Sequence, residues 1–158
     1  MIKVSVIAVG KVKEKEFLPI LDEYAKRLSA FCELNIVELK PEQLPEKPSD
    51  AQILSALSKE ADNTIKKIPK DAVVFPLCVE GKHISSEEFS AEIKTQTDKG
   101  KHICFVIGSS YGLHKTVKML GRPISFSDMT FPHKLFRIML LEQIYRAFTI
   151  ISGIKYHK

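Results

Sequence analysis

The last quarter of the chain contains residue types that can bind an anion. The stretch SFSDMTFPHKLFRIMLLEQIYRAF, residues 125–148, joins a polar, proline-containing loop to a very apolar run that carries Arg137 and Arg146. A guanidinium on the rim of such a run could bind a phosphate or a carboxylate. Pairing of these arginines with Glu142 or another acid of the chain is an equally good interpretation.

The tail IKYHK follows this run and contains Tyr156 and His157. Histidine titrates near neutrality, so His157 could accept a proton if the tail were held at a site. The alternative is a frayed terminus, which is the more common fate of such residues.

A glycine turn, FVIGSSYGL, connects an apolar strand-like run to a helix and contains Gly108 and Gly112. Glycine accepts a positive φ without strain and lets backbone approach a ligand closely. Backbone N–H groups there could hold a carboxylate or an adenosine moiety. The spacing is neither GxGxxG nor a phosphate loop, because no GK[ST] follows. A purely structural turn is the alternative.

The loop FSDMTFPH, residues 126–133, offers hydroxyls, backbone amides and aromatic side chains at the end of a short strand. A flat heteroaromatic ring could lie between its apolar side chains and receive hydrogen bonds from its backbone. The alternative is an ordinary strand-to-helix connection, with Thr130 as the N-cap and Pro132 in the first helical turn.

Apolar patterning predicts the elements that position these residues. Runs typical of strands occupy 2–9, 33–39, 72–80, 102–108 and 123–127. Helical spacing of apolar residues predicts helices over 17–28, 53–65, 85–100, 113–120 and 133–152. The tetrapeptide EGKH, residues 80–83, is expected to turn the chain after the third strand.

This alternation predicts an α/β fold with a mainly parallel sheet and helices on both faces. The length of 158 residues suits a single domain, residues 1–158. Ligands of such sheets bind beyond the carboxyl ends of the strands. Three predicted strand ends therefore become candidate sites: PLCVEG, VIGSSYG and SFSDMTFPH.

The net charge of +5 is unevenly distributed along the sequence. Residues 115–158 hold only two acids, Asp128 and Glu142, against eight basic residues, whereas the first 114 residues hold 16 basic and 17 acidic side chains. The eight basic residues are Lys115, Lys118, Arg122, Lys134, Arg137, Arg146, Lys155 and Lys158. This asymmetry indicates a polyanionic partner, with nucleic acid the leading candidate, or else a basic surface that aids solubility.

The three cysteines, Cys32, Cys78 and Cys104, are odd in number and widely spaced, which argues against a disulfide framework and a zinc site. No metal is therefore expected. Free thiols fit a reducing cytoplasm. No stretch approaches the roughly 18 apolar residues that cross a bilayer, and no signal peptide is recognised, so a cytoplasmic protein is expected.

The last predicted helix is apolar on more than one face. One face can cover the sheet, and the surplus needs a second partner. In so small a domain, another copy of the same chain is the natural partner, so a homodimer is expected.

Several segments together resemble a known family. VIAVGK, LCVEGK, FVIGSSYGL, the stretch 125–148 and the terminal YHK occur in the order and spacing of the RlmH family. These are small bacterial SPOUT-class methyltransferases of large-subunit ribosomal RNA, and the resemblance covers essentially the whole chain. MTFPHxLxR followed by EQIYRAF is its most specific part. Ser109 is a departure, since the family usually has a second glycine there.

The resemblance implies S-adenosyl-L-methionine as the methyl donor and N3 of a pseudouridine in 23S rRNA, on the assembled ribosome, as the acceptor. It also implies a C-terminal trefoil knot and a dimer formed through the knotted region. The family's donor site carries over onto three strand ends of this chain: Leu77, Gly108, Phe126, Ser127, Asp128, Met129, Thr130 and Phe131.

The acceptor nitrogen carries a proton that must leave at or before attack. A nearby base or cation would assist its removal. The candidates are His157 and Tyr156 in the tail, His133 in the loop, and Arg137 for positioning or charge. Lysines and arginines of the last third are expected to contact rRNA phosphates.

Two other functions fit parts of the sequence. A non-enzymatic ribosome-binding protein would use the same basic surface but would not bind the methyl donor. A flavodoxin-like or nucleotide-hydrolysing protein would need a phosphate loop or metal-binding carboxylates at a strand end, and none is found there.

Overall fold

The computed structural model describes residues 1–158. It contains five strands and five helices, which alternate along the chain. In chain order they are β1 (Ile2–Val9), α1 (Leu18–Leu28), β2 (Cys32–Leu39), α2 (Asp50–Lys67), β3 (Val73–His83), α3 (Ser86–Asp98), β4 (Ile103–Ile107), α4 (Lys115–Lys118), β5 (Ile124–Ser125) and α5 (His133–Ile151).

The strands form one sheet in the order β2-β1-β4-β3-β5, and every neighbouring pair is parallel. All carboxyl ends therefore lie at one edge of the sheet. The α/β prediction is confirmed, and the sheet is entirely rather than mainly parallel. The central strand β4 is buried along its whole length, as its continuous apolar sequence indicates.

Two apolar clusters lie on opposite faces of the sheet. The larger contains residues of α1, α3 and α5, such as Leu28, Ile93 and Ile144. The smaller contains Ala61 of α2 and Val117 of α4. Alternate residues of β1 and β4 contribute to each cluster, because successive side chains of a strand point to opposite faces. The helices therefore cover both faces, as the pattern predicted.

Local signals mark most helix starts. Ser49 and Ser85 each form a complete capping box with the residue three positions later, which satisfies two backbone N–H groups at each helix start. The predicted start of α5 at His133 is confirmed, but Pro132 is the N-cap rather than Thr130, the cap that the alternative interpretation of the loop required, and no side chain caps this helix.

The predicted turn at residues 80–83 was also wrong, since β3 continues through His83. Leu77 and Lys82 both pair with Ile124, with a register shift between them. A Cβ at Gly81 would lie 2.7 Å from backbone atoms of Ile124, so only glycine permits this approach. The polar sequence EGKH suits an exposed extended segment as well as a turn, which is why periodicity misplaced it.

No helix is both long enough and apolar enough to cross a membrane.

All three cysteines are free thiols. Cys32 and Cys104 are buried, and Cys78 is half-buried.

A charged network joins α5 to the strands β1 and β2. The Arg137 side chain is only 2% exposed; it forms an ion pair with Glu38 and donates a hydrogen bond to the Gly10 carbonyl at 2.9 Å. The Val12 N–H donates to the same carboxylate at 2.9 Å. Burial opposes ionisation of Glu38, but the Val12 and Arg137 hydrogen bonds outweigh it and lower the pKa of the carboxyl group. Without Glu38, the buried guanidinium would have no counter-charge.

We expect Glu38→Gln to lower the free energy of unfolding by about 2–3 kcal/mol at pH 7, because a buried cation loses its counter-charge. Urea denaturation of both proteins measures the difference.

Folding lowers the pKa of the Glu38 carboxyl group, so the folded chain binds fewer protons there than the unfolded chain. The wild-type advantage is therefore complete above the ordinary glutamate value of 4.5 and declines as pH falls below it. Glu33→Gln, an exposed change on the same strand, is the matched control, and an equal loss in both variants would contradict the network.

Candidate functional site

A cavity of about 550 Å³ opens at the carboxyl edge of the sheet, which is within the usual size of a cofactor site. Three neighbouring segments line it: residues 77–80 of β3, the last residue of β4 with the turn that follows it (107–113), and the segment from β5 to the start of α5, at 124–127 and 129–133. These are the three strand ends that the sequence singled out. The topology brings them together because β4, β3 and β5 are adjacent strands.

Seven of the eight residues predicted to bind a donor line this cavity: Leu77, Gly108, Phe126, Ser127, Met129, Thr130 and Phe131. Asp128 does not line it. Its side chain is 88% exposed and pairs with His83, with 2.9 Å between Oδ1 and Nε2. Asp128 therefore points out of the loop in this structure, whereas its neighbours in the sequence face the cavity.

The glycine turn after β4 closes upon itself. A Cβ at Gly108 would lie 2.3 Å from the Gly112 carbonyl oxygen, so no other residue fits. The Gly112 N–H donates to the Ser109 carbonyl at 2.9 Å, and Gly112 has a φ of +86°. Gly108 thus permits a backbone-to-backbone contact that forms one wall of the cavity.

Glu60 of α2 holds this turn in place through a hydrogen bond to Ser109. Glu60 was not identified from the sequence. Its side chain is buried, accepts a hydrogen bond from Ser109 Oγ at 2.8 Å, and accepts another from the Glu42 N–H at 2.9 Å. The carboxylate therefore ties the turn both to α2 and to the loop that precedes α2. Ser109, which stands where the RlmH family usually has glycine, is accommodated by this contact. No local pattern in the sequence links Glu60 to a residue 49 positions away.

The opposite wall is aromatic. The Phe126 and Phe136 rings lie 5.0 Å apart between centroids, and Phe131 stacks on Phe136 at 6.3 Å with an interplanar angle of 19°. Ser127 shapes the same loop, because its Oγ accepts a hydrogen bond from the Met129 N–H at 3.0 Å. Such a wall offers flat apolar surface on which a heteroaromatic ring can stack.

His133 is the one proposed proton acceptor that lines the cavity. Burial lowers the pKa of its imidazole, and the neighbouring charges of Lys134 and Arg137 lower it further. The ring is therefore neutral at pH 7 and has one unprotonated nitrogen that can accept a proton.

The other proposed residues lie outside the cavity of the same chain. Arg137 is buried in the network with Glu38 and Gly10. Tyr156 donates to Glu142 at 3.2 Å, and burial together with that carboxylate raises the pKa of the phenol to about 12.

His157 is held between α3 and α5. Its Nδ1 lies 3.1 Å from an Arg146 nitrogen, and its Nε2 lies 2.8 Å from Glu87 Oε1. Because arginine can only donate, Nδ1 must be the acceptor and Nε2–H must donate to Glu87. The one lone pair of the neutral ring thus accepts a hydrogen bond from Arg146.

No group of three or more His, Cys, Asp or Glu side chains is arranged to hold a metal ion. Besides backbone groups, hydroxyls and aromatic surface, the cavity is lined by the side chains of Cys78, Glu80 and Lys118 and by the neutral imidazole of His133.

Comparison with known proteins relates the whole chain to one family. The family model described as "Predicted SPOUT methyltransferase" matches residues 2–157. A protein named "Ribosomal RNA large subunit methyltransferase H" from Clostridium botulinum strain Alaska E43 is 48% identical over 157 residues, which is 98% of this chain and 99% of that protein. A protein of the same name from Enterococcus faecalis is 44% identical over 158 residues, 99% of each chain.

A relative from Methanococcus maripaludis named "Putative ribosomal RNA large subunit methyltransferase H" is 44% identical, over 98% of this chain and 99% of its own. The family match spans every strand and helix described above, including the three segments that line the cavity. The chain therefore belongs to the SPOUT methyltransferase family.

Proposed function

We propose that this protein transfers a methyl group from S-adenosyl-L-methionine to N3 of a pseudouridine in 23S rRNA, acting on the assembled ribosome in the cytoplasm. One observation carries the proposal: seven of the eight residues that the RlmH resemblance implies for donor binding line one cavity. The names of relatives that match the chain from end to end support rRNA methylation as the activity.

The cavity suits the proposed donor in shape and chemistry. The turn at Gly108 presents backbone without a side chain, so a carboxylate or ribose can approach it closely. The aromatic wall of Phe126, Phe131 and Phe136 offers stacking surface for the adenine ring.

When bound, S-adenosyl-L-methionine supplies an electrophilic methyl group on its sulfonium sulfur. The residues of the chain then have two tasks. The Gly108 turn and the 126–131 loop hold the reacting groups in line, which alone contributes several kcal/mol to catalysis. The unprotonated nitrogen of His133 would accept the proton that the acceptor N3 loses on methylation.

The active protein is proposed to be a homodimer. Leu135 is 38% exposed, and Ile138 and Met139 of the same helix are half-buried, so α5 retains apolar surface that the sheet does not cover. Tyr156 and His157 follow α5 and contact side chains of α3 and α5, outside the cavity of their own chain. If the tail takes part in methyl transfer, the tail of one copy is therefore expected to reach the cavity of the other copy.

Residues 1–158 are proposed to form one SPOUT domain with a C-terminal trefoil knot. Close backbone approaches support a tightly threaded region. A Cβ at Gly121 would lie 1.9 Å from the Val74 carbonyl oxygen, and Gly81 lies against Ile124 in the same way.

Incubation with labelled donor tests the activity directly. Whole ribosomes, free large subunits and naked 23S rRNA serve as alternative acceptors, and mass spectrometry locates the added methyl. We expect label only with assembled ribosomes, at N3 of a pseudouridine. Ribosome binding with neither donor binding nor methylation would contradict the proposal and would favour a non-enzymatic ribosome-binding protein.

The rate at which the Cys78 thiol is alkylated should show whether a ligand occupies the cavity. Burial raises the pKa of Cys32 and of Cys104 to about 12, so both remain unreactive at pH 8. Cys78 lines the cavity and is half-buried, although burial and then Glu80 raise the pKa of its thiol. We expect iodoacetamide to label Cys78 alone. A tenfold excess of demethylated donor over its Kd should slow labelling by about tenfold. Cys78→Ser is the blank, and an unchanged rate would contradict donor binding here.

Complementation between two variants tests the shared site. Thr130→Trp fills the cavity, and the pair Tyr156→Ala and His157→Ala removes the tail side chains. Each variant alone should be inactive. An equal mixture, refolded together, should recover roughly a quarter of wild-type activity, because half of the dimers are mixed and each contains one intact pair of cavity and tail. Sedimentation confirms dimers in every sample, and a mixture no more active than its components would exclude a tail supplied by the second copy.

A further inference from the structure

Most of the basic residues that the sequence predicted to contact RNA form ion pairs within the fold. Five of the eight basic side chains in residues 115–158 pair with acids. The pairs are Lys118–Glu80, Arg122–Glu92, Lys134–Glu14, Arg137–Glu38 and Arg146–Glu142. The excess positive charge in the sequence therefore does not identify the cations that remain available to a polyanion.

Two lysines of the loop between β1 and α1 do remain available. Lys11 and Lys13 are exposed, and neither forms an ion pair within 4 Å. Two acids beside this loop are already paired, Glu14 with Lys134 and Glu38 with Arg137. Lys11 helps to lower the pKa of Glu38 but does not pair with it.

The fold holds this loop in a fixed conformation. Gly10 donates its N–H to the Leu39 carbonyl at 2.7 Å and accepts from Arg137 at 2.9 Å. The Val12 N–H donates to Glu38, and its side chain is only 4% exposed. With Val12 directed into the core, the alternation places Lys11 and Lys13 together on the outer side. A fixed loop loses little conformational entropy when its side chains bind a ligand.

The loop also lies beside the cavity. A Cβ on Gly10 would come within 2.9 Å of Cε1 of His133, whose ring lines the cavity. β1 and β4 are neighbours, so the carboxyl end of β1 flanks the turn at Gly108. The loop that carries Lys11 and Lys13 therefore begins next to His133, on the side of the cavity that this ring lines.

We propose that Lys11 and Lys13 bind backbone phosphates of the RNA that carries the acceptor nucleotide. This inference rests on the proposed function, because it assumes that an RNA docks over the cavity. Two unpaired ammonium groups on a fixed loop match a phosphodiester backbone, which is contacted by point charges without regard to base sequence. The lysines position the RNA and take no part in the chemical step.

The test compares two charge-matched double variants. Lys11→Ala with Lys13→Ala removes the proposed contacts. Lys66→Ala with Lys67→Ala removes two exposed lysines from the last turn of α2, at the opposite edge of the sheet. We expect the first variant to raise KM for ribosomes by about tenfold with kcat within about twofold, and to reduce the slope of log KM against log salt by about 1–2. The second should match the wild type.

Two further measurements separate RNA docking from folding and from the proposed activity. Calorimetry should give the same affinity for demethylated donor in all three proteins, and Lys11→Arg with Lys13→Arg should retain the wild-type KM. Sedimentation with ribosomes measures docking without methyl transfer, so a failure of the methylation assay alone would refute the proposed function and leave this comparison intact. Equal behaviour of the two alanine variants, or no ribosome binding by the wild type, would overturn the inference.

Discussion

The turn at Gly108 packs backbone directly against backbone, and the candidate site depends on that contact. The Gly112 carbonyl occupies the space that any side chain at position 108 would need. The turn follows the buried central strand β4, whose position in the sheet is fixed on both sides by β1 and β3. It also brings Ser109 within hydrogen-bonding distance of Glu60. The cavity wall is thus attached to the central strand, which is buried along its whole length.

A second constraint is electrostatic. Arg137, which was proposed from the sequence for positioning or charge at the site, is instead buried in contacts with Glu38 and Gly10. Its effect on the site is therefore indirect, since it holds the β1 loop against His133 at the edge of the cavity. The same pairing leaves Lys11 and Lys13 exposed without acidic partners. Arg137 thus acts through the loop that it holds in place, while Lys11 and Lys13 of that loop, between β1 and α1, face outward.

The sequence predicted the alternation, the parallel sheet and the three segments at its carboxyl edge, because apolar periodicity and strand ends are local properties. It misplaced residues 80–83, since an exposed polar strand and a turn have similar composition. It did not predict the partners of Arg137 or Ser109, because Glu38 and Glu60 are 99 and 49 residues away. Contacts between such distant residues depend on the topology, which local patterns do not determine.

A crystal structure grown with S-adenosylhomocysteine, the demethylated donor, would show whether the donor binds in this cavity. We expect density between the Gly108 turn and the 126–131 loop, with the adenine ring against the phenylalanine wall and the sulfur facing the side of the cavity that His133 lines. Well-ordered density for the nucleoside at any other place, with this cavity holding only water, would contradict this expectation.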